Sequence, residues 1–422
     1  MSISLEEYFE NIKHTIKDAE KKDQMERILA IDVLKGIAIL LVILAHLARW
    51  VLLPEWKWGY FLIYMILDIF GPSLFVFLSC LGVVFSAKKK RINYNEKIVR
   101  NTVLQRAIAL LFISFLVNFG MTYSKMYYLS FWGWNILQFI AIGQIITYYI
   151  LKLQPHQRMI IAFLIAYSTP ILFTFLNSHM ENVGINFKEF TISDLKNPYA
   201  LLFWLIFYPA EQVPFVPWIE IVIIGSIVGE NLVNAYNIYL EGNKRIYNKF
   251  NRNLLTDGLI MMLMGILIGL QLQSDDFGLG ILAGINTCPF IEWPGIPDFL
   301  VHSSISNIIY STGAELILLA IAFRITEIKN HKGKFIKFFV FYGRFSLSLF
   351  ALHALFFIGT KDSFGPIGLF ILYFIIIILL GFILYILRYR FHGVGTLEWL
   401  IIAIGGLRRI KDMPKKDDNV VF

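Results

Sequence analysis

The stretch RILAIDVLKGIAILLVILAHLARW, Arg27 to Trp50, decides the class of this chain. From Gly36 to Ala45 it is apolar enough to enter a bilayer, yet Asp32, Lys35, His46 and Arg49 bracket that run. On a helix each residue advances about 100°, so Lys35 and His46 lie within about 20° of each other and about 16 Å apart. Asp32 and Arg49 fall within about 60° of the same line, which makes one polar stripe along an otherwise apolar helix. A charge near the bilayer centre costs at least about 2.5 kcal/mol, so such residues normally face a bundle interior and mark a pathway or site. The competing reading places Asp32 and Arg49 at the two interfaces, with Lys35 snorkelling to water. His46 is the deepest of the four, and a buried histidine also serves simply as a hydrogen-bonded packing residue.

Composition generalises the point. Of 422 residues 57% are hydrophobic and only 16% charged, against roughly 25% charged in soluble domains; mean hydropathy is +0.64. Repeated apolar windows of about 20 residues therefore predict an all-α fold, a polytopic membrane helix bundle of about 10–11 transmembrane helices with short re-entrant or half-helices. The net charge of +8 reflects basic loops that orient the chain rather than a nucleic-acid partner. Cys80 falls inside a span and Cys288 in a loop, which indicates neither a disulfide framework nor a paired-cysteine metal site.

Spans are predicted at about 29–51, 60–86, 102–120, 134–151, 158–176, 216–232, 256–272, 303–324, 338–358 and 366–387. The loops KKDQMER, KKKRINYNEKIVR, KLQPHQR, EGNKRIYNKFNRN and RITEIKNHKGKFIK and the tail LRRIKDMPKKDD then share one side, which the positive-inside rule makes cytoplasmic. This implies a cell-membrane protein with both termini in the cytoplasm. Residues 1–26 read as a cytosolic amphipathic segment without a signal peptide, 27–407 as the membrane domain and 408–422 as a basic cytosolic tail. ALLFWLIFY and LEWLIIAIGG are too short to cross and read as half-helices or re-entrant segments.

Arg27, Asp32, Lys35, Gly36 and His46 match the opening pattern of the transmembrane acyltransferase superfamily. DIFGPSLFVFLSCLGVVFS, WGWNILQFIAIGQI and FYPAEQVPFVPWIEIVIIGSIVGENL resemble, in order, the later segments of the heparan-α-glucosaminide N-acetyltransferase catalytic-domain family. FYGRFSLSLFALHALFF and GVGTLEWL are similar to elements of related membrane proteins, with the acyltransferase-3 family as a cousin. The likeness spans Arg27 to Trp399. Lys35 stands where Arg is commoner, Glu220 where a glycine is usual, and Thr396 where the terminal element has proline.

The resemblance implies an acyl-CoA-dependent acyltransferase that moves an acyl group, acetyl in the first instance, from cytosolic acyl-CoA to a carbohydrate, amino-sugar or glycoconjugate acceptor outside. Acyl transfer needs a base or a nucleophile, and imidazole serves as either near neutral pH. His46 is accordingly the expected catalytic residue, with Asp68, at outer depth on the second span, as its carboxylate partner. Glu220, His302 and His353 fall at outer depth on the sixth, eighth and ninth spans and are expected to line an acceptor pocket. Asp32, Lys35, Arg106 and Arg344 are the expected acyl-CoA contacts, and no metal is required. Lys88 to Arg91, Lys97 and Arg100 also lie near that route, although positive-inside loops account for them. The Lys35 to His46 spacing is comparable to a pantetheine arm. Glu315 is a further intramembrane carboxylate. The runner-up reading is a transporter or flippase whose ionisable residues relay protons, with membrane lipid as the surrounding partner in either case.

Overall fold

A computed structural model describes residues 28–67, 71–93, 95–123, 134–186, 191–207, 214–271, 297–302, 304–353, 356 and 360–412. Among these the chain forms α1 (Leu29–Val51), α2 (Lys57–Leu67), α3 (Pro72–Asn93), α4 (Glu96–Tyr123), α5 (Ile136–Ile150), α6 (Pro155–Glu181), α7 (Pro198–Ile206), α8 (Phe215–Leu240) and α9 (Arg245–Gln271). Then follow α10 (Ile305–Phe323), α11 (Lys334–Arg344), α12 (Ser346–Leu352), α13 (Pro366–Tyr389) and α14 (Leu397–Asp412). Eight helices are long and apolar enough to cross a membrane, or nine if the bent pair α11–α12 counts as one span. The 15-residue α5 fills the fourth predicted span, 134–151, and brings the number of predicted places occupied to ten. The protein is a multi-pass all-α membrane bundle.

Local chemistry sets the helix ends. Pro72, Pro155, Pro198 and Pro366 open their helices, where a missing N–H costs nothing. Asn135 caps α5 by accepting from Gln138 N at 2.9 Å, and Asn197 caps α7 by accepting from Tyr199 N at 2.9 Å. Pro72 also corrects the predicted second span of 60–86, because the chain there is divided into α2 and α3. Proline disfavours helical backbone in the residue before it and supplies no amide. ALLFWLIFY yields the nine-residue α7, as expected of a half-helix. LEWLIIAIGG opens the longer α14, which runs into the basic tail.

Helix burial grades from centre to rim. The α8 span is 72% buried, whereas the α6 span is only 17% and the α9 span 22% buried. Phe163, Tyr167 and Leu267 on these outer helices are more than 60% exposed, as lipid-facing side chains are. At the seam between α1 and α11, a Cβ on Gly36 would meet the carbonyl of Phe339, and one on Gly343 the carbonyl of Asp32. Without glycine at both positions these backbones could not approach so closely. Tyr342 donates to Ile377 O at 3.0 Å, and Tyr373 donates to Leu40 O at 3.1 Å, tying α13 to both partners.

Two polar clamps close the ends. Arg158, fully buried at the start of α6, donates to Ser226 at 3.0 Å and pairs with Glu230, which also meets Lys88 at 2.5 Å. This anchors the otherwise peripheral α6 to α8 and α3. At the far end of α1, Asp362 N donates to Trp50 O at 3.0 Å and Ser363 N to Val51 O at 2.9 Å. Lys57 pairs with Asp362 at 2.9 Å, and its hydrogen bond and charge hold that carboxyl below the usual carboxylate range.

Replacing Gly36 by leucine is expected to destabilise the protein by about 1–3 kcal/mol, the usual cost of overpacking, or more because the obstructing atoms are backbone. Gly82→Ala, where a Cβ meets nothing within 4 Å, is the matched control and should be neutral or stabilising. Thermal unfolding in detergent checks both, and an unchanged midpoint for Gly36→Leu would refute the close-approach account.

Candidate active site

The first helix carries a basic-and-acidic end and an imidazole end, and each meets the bent pair α11–α12. His46 Nδ1 lies 2.8 Å from His353 Nε2, with the rings at 5.1 Å between centroids and 18° between planes. Phe350 flanks both rings at 6.3 Å and 5.3 Å. His353 is buried and His46 half-buried. Two imidazoles this close cannot both donate along the shared line, so one nitrogen donates and the other accepts.

At the other end of α1, Asp32 Oδ2 lies 3.7 Å from Arg344 Nε. Arg344 is the last residue of α11, next to a 65° bend into α12. The bend frees amides at the start of α12, and Glu398 of α14 takes them: Leu347 N and Ser348 N donate to its Oε1 at 2.8 and 3.1 Å. The Ser348 hydroxyl donates to Glu398 Oε2 and itself accepts from Leu397 N at 2.8 Å. Glu327 plays a similar part for the first helix, accepting from Ala30 N at 3.3 Å. Both carboxylates sit at positive helix ends, where a negative charge is favoured.

The sequence expectations divide accordingly. His46 and His353, assigned above to catalysis and to acceptor binding, form a single bonded pair. Asp32 and Arg344, assigned to the same donor site, are brought together. Lys35 and Arg106 are half-buried on α1 and α4. His302 is buried in the turn before α10 rather than within a span, its ring 5.4 Å from Trp218. Glu220 is buried on α8, two residues beyond Trp218 and hence about 200° around the helix. Glu220 and His302 therefore occupy different sides of α8. Glu315 is fully buried on α10. Asp68 and Cys288 lie outside the described residues.

Three contributors escaped the sequence reading. The direct imidazole bond joins residues 307 apart, and no periodicity couples them. Glu398 was visible only as part of a motif. Gln138, in the ILQ segment, is fully buried at the start of α5, and neither side-chain amide atom has a hydrogen-bond partner among the described residues. No group of three or more His, Cys, Asp or Glu among the described residues is placed to hold a metal ion.

Residues 27–264 match the family model described as heparan-alpha-glucosaminide N-acetyltransferase, catalytic. The match takes in His46, Asp32, Lys35, Arg106, Gln138 and Glu220, while Arg344, His353 and Glu398 lie beyond it. No curated protein matches the chain. With more than half of its length matched and its helices forming a membrane bundle, this multi-pass transferase belongs to the heparan-α-glucosaminide N-acetyltransferase catalytic-domain family.

Proposed function

We propose that the protein moves an acetyl group from cytosolic acetyl-CoA to the amine or hydroxyl of a sugar or amino-sugar presented on the opposite side of the cell membrane. The observation that carries this reading is the His46–His353 bond at 2.8 Å, in a chain of this family. Residues 27–407 act as one catalytic unit, since half of the pair comes from each end of it.

In this reading His353 carries its proton on Nδ1, which leaves Nε2, the nitrogen facing His46 at 2.8 Å, free to accept. His353 Nε2 then accepts from His46 Nδ1, and His46 keeps a lone pair on Nε2. That nitrogen takes the acceptor's proton as the acceptor nitrogen or oxygen attacks the thioester carbonyl. His353 accepts the Nδ1 proton's hydrogen bond throughout and fixes the ring, as second partners of catalytic imidazoles do. When the carbon–sulfur bond breaks, the proton on His46 Nε2 passes to the departing thiolate, which leaves His46 neutral for the next turnover.

Donor binding falls to the other end of α1. Arg344 presents a planar cation suited to phosphate, with Lys35 as a point charge on the same route. Asp32 holds the guanidinium in place at 3.7 Å. The basic loops and the tail support a cytoplasmic position for this end and for both termini. Asp68, Glu220 and His302 are proposed to serve the acceptor side, Asp68 by orienting His46.

His46→Ala is expected to lower transfer from labelled acetyl-CoA by about 10²–10⁴-fold, the usual contribution of a general base, with the size-exclusion profile unchanged. A wild-type rate in that variant would sink the assignment. Arg344→Gln should raise the KM for acetyl-CoA about tenfold with a smaller effect on kcat, which corresponds to losing one charge-assisted contact. A fall confined to kcat would instead place Arg344 away from the donor.

A further inference from the structure

Away from α1, a cavity of about 270 Å³ opens where α4 begins and α5 ends, lined by Glu96, Lys97, Arg100, Tyr148, Tyr149 and Lys152. Its one carboxylate is already engaged. Arg91 donates to Glu96 through Nε at 2.8 Å and through its terminal nitrogen at 2.9 Å, and the Tyr148 hydroxyl donates to it as well. No carboxylate of the described residues forms an ion pair with Lys97, Arg100 or Lys152, and all three are exposed. Lys152 lies over the Tyr149 ring at 5.4 Å. The positive N-terminus of α4, capped by Asn95, which accepts from Lys97 N at 3.1 Å, adds to the field. The cavity is thus cationic, walled by aromatic rings, and open.

Size and surroundings identify what fits it. Pockets that enclose drug-sized ligands run to roughly 300–1,000 Å³, so this one, at about 270 Å³, has room for a phosphate headgroup. Lys97 and Ile108 are eleven residues apart on α4, within about 20° of one another and about 16 Å along the axis. Ile108 is 61% and Phe112 64% exposed, which makes that stripe lipid-facing. A headgroup held at Lys97 has its acyl chain directed along Ile108 and Phe112 without leaving the helix face. A soluble phosphate gains nothing from that stripe.

We propose that this cavity is a site for the phosphate of an anionic membrane lipid, held by Lys97, Arg100 and Lys152, with an acyl chain laid along Ile108 and Phe112. The site is independent of the transferase reading, and loss of one does not entail loss of the other. Positively charged segments beside a membrane attract anionic lipids in general; the cavity and the apolar track below it turn that attraction into a localised site.

The test uses the full chain in neutral detergent, titrated with dioctanoyl phosphatidylglycerol and, in separate arms, with dioctanoyl phosphatidylcholine, inorganic phosphate and coenzyme A. Phosphatidylglycerol is expected to bind at least tenfold more tightly than phosphatidylcholine. The combined variant Lys97→Gln, Arg100→Gln, Lys152→Gln should weaken it at least tenfold, whereas Lys244→Gln with Arg245→Gln, another exposed basic pair, should not. Should the triple variant unfold, Lys152→Gln alone carries the test, with about a threefold loss expected. Wild-type lipid binding in the neutralised variant overturns the proposal. Displacement of the lipid by inorganic phosphate or coenzyme A at comparable affinity also overturns it, since the source is then a soluble phosphate.

Discussion

The constraint on which the site depends is the close approach of two backbones, Gly36 on α1 against Phe339 and Gly343 on α11. Gly36 to His46 is ten residues, about 15 Å of helical rise along α1. The contacts run in opposite order along the two helices, Asp32 against Gly343 and Gly36 against Phe339, so His353 comes beside His46 only beyond the bend that follows Arg344. The same seam holds Arg344 beside Asp32 at 3.7 Å. A bulkier residue at either glycine separates the backbones first, and both pairs with them.

Helices that touch closely at one crossing diverge beyond it, and a straight α11–α12 would carry His353 away from α1. The 65° bend after Arg344 redirects the chain. Breaking a helix inside a membrane strands backbone amides where no water can serve them, a cost of several kcal/mol per group. Glu398 removes that cost by accepting from Leu347 N, Ser348 N and the Ser348 hydroxyl at once. The short α14 is therefore a device for stabilising a break and not a failed span. That explains why an element too short to cross carries an acid at its start.

Much of the fold was legible because the bilayer demands long apolar runs: the helices predicted from hydropathy are present, with altered ends. The miss at 60–86 carried its own warning, since Gly71-Pro72 punctuates the run, but continuous hydrophobicity outweighed two residues of turn chemistry. Site legibility was uneven for a different reason. The stripe of Asp32, Lys35 and His46 is a property of one helix and can be read from spacing. Pairing His46 with His353 or Asp32 with Arg344 depends on how α11 crosses α1, and sequence distance conceals that. Glu220 and His302 were grouped by depth alone; depth fixes a level in the membrane but not the direction a side chain takes around its helix, and they lie on different sides of α8.

The family match ends at residue 264, whereas His353, Arg344 and Glu398 all follow it. The matched region contributes an imidazole and an acid on α1; the remainder contributes the second imidazole, the cation and the carboxylate that supports the bend. Neither part holds both members of either pair. Under the proposed function a catalytic histidine needs its tautomer fixed by a second group, and the group bonded to His46 comes from across the glycine seam rather than from a neighbouring turn. Chemistry at the imidazole end is thereby coupled to packing about 15 Å away, at the level where the donor's charged portion is proposed to enter. An arrangement of this kind explains why glycine, and not only histidine, belongs to the opening motif: it sets the distance at which the second imidazole can act on the first.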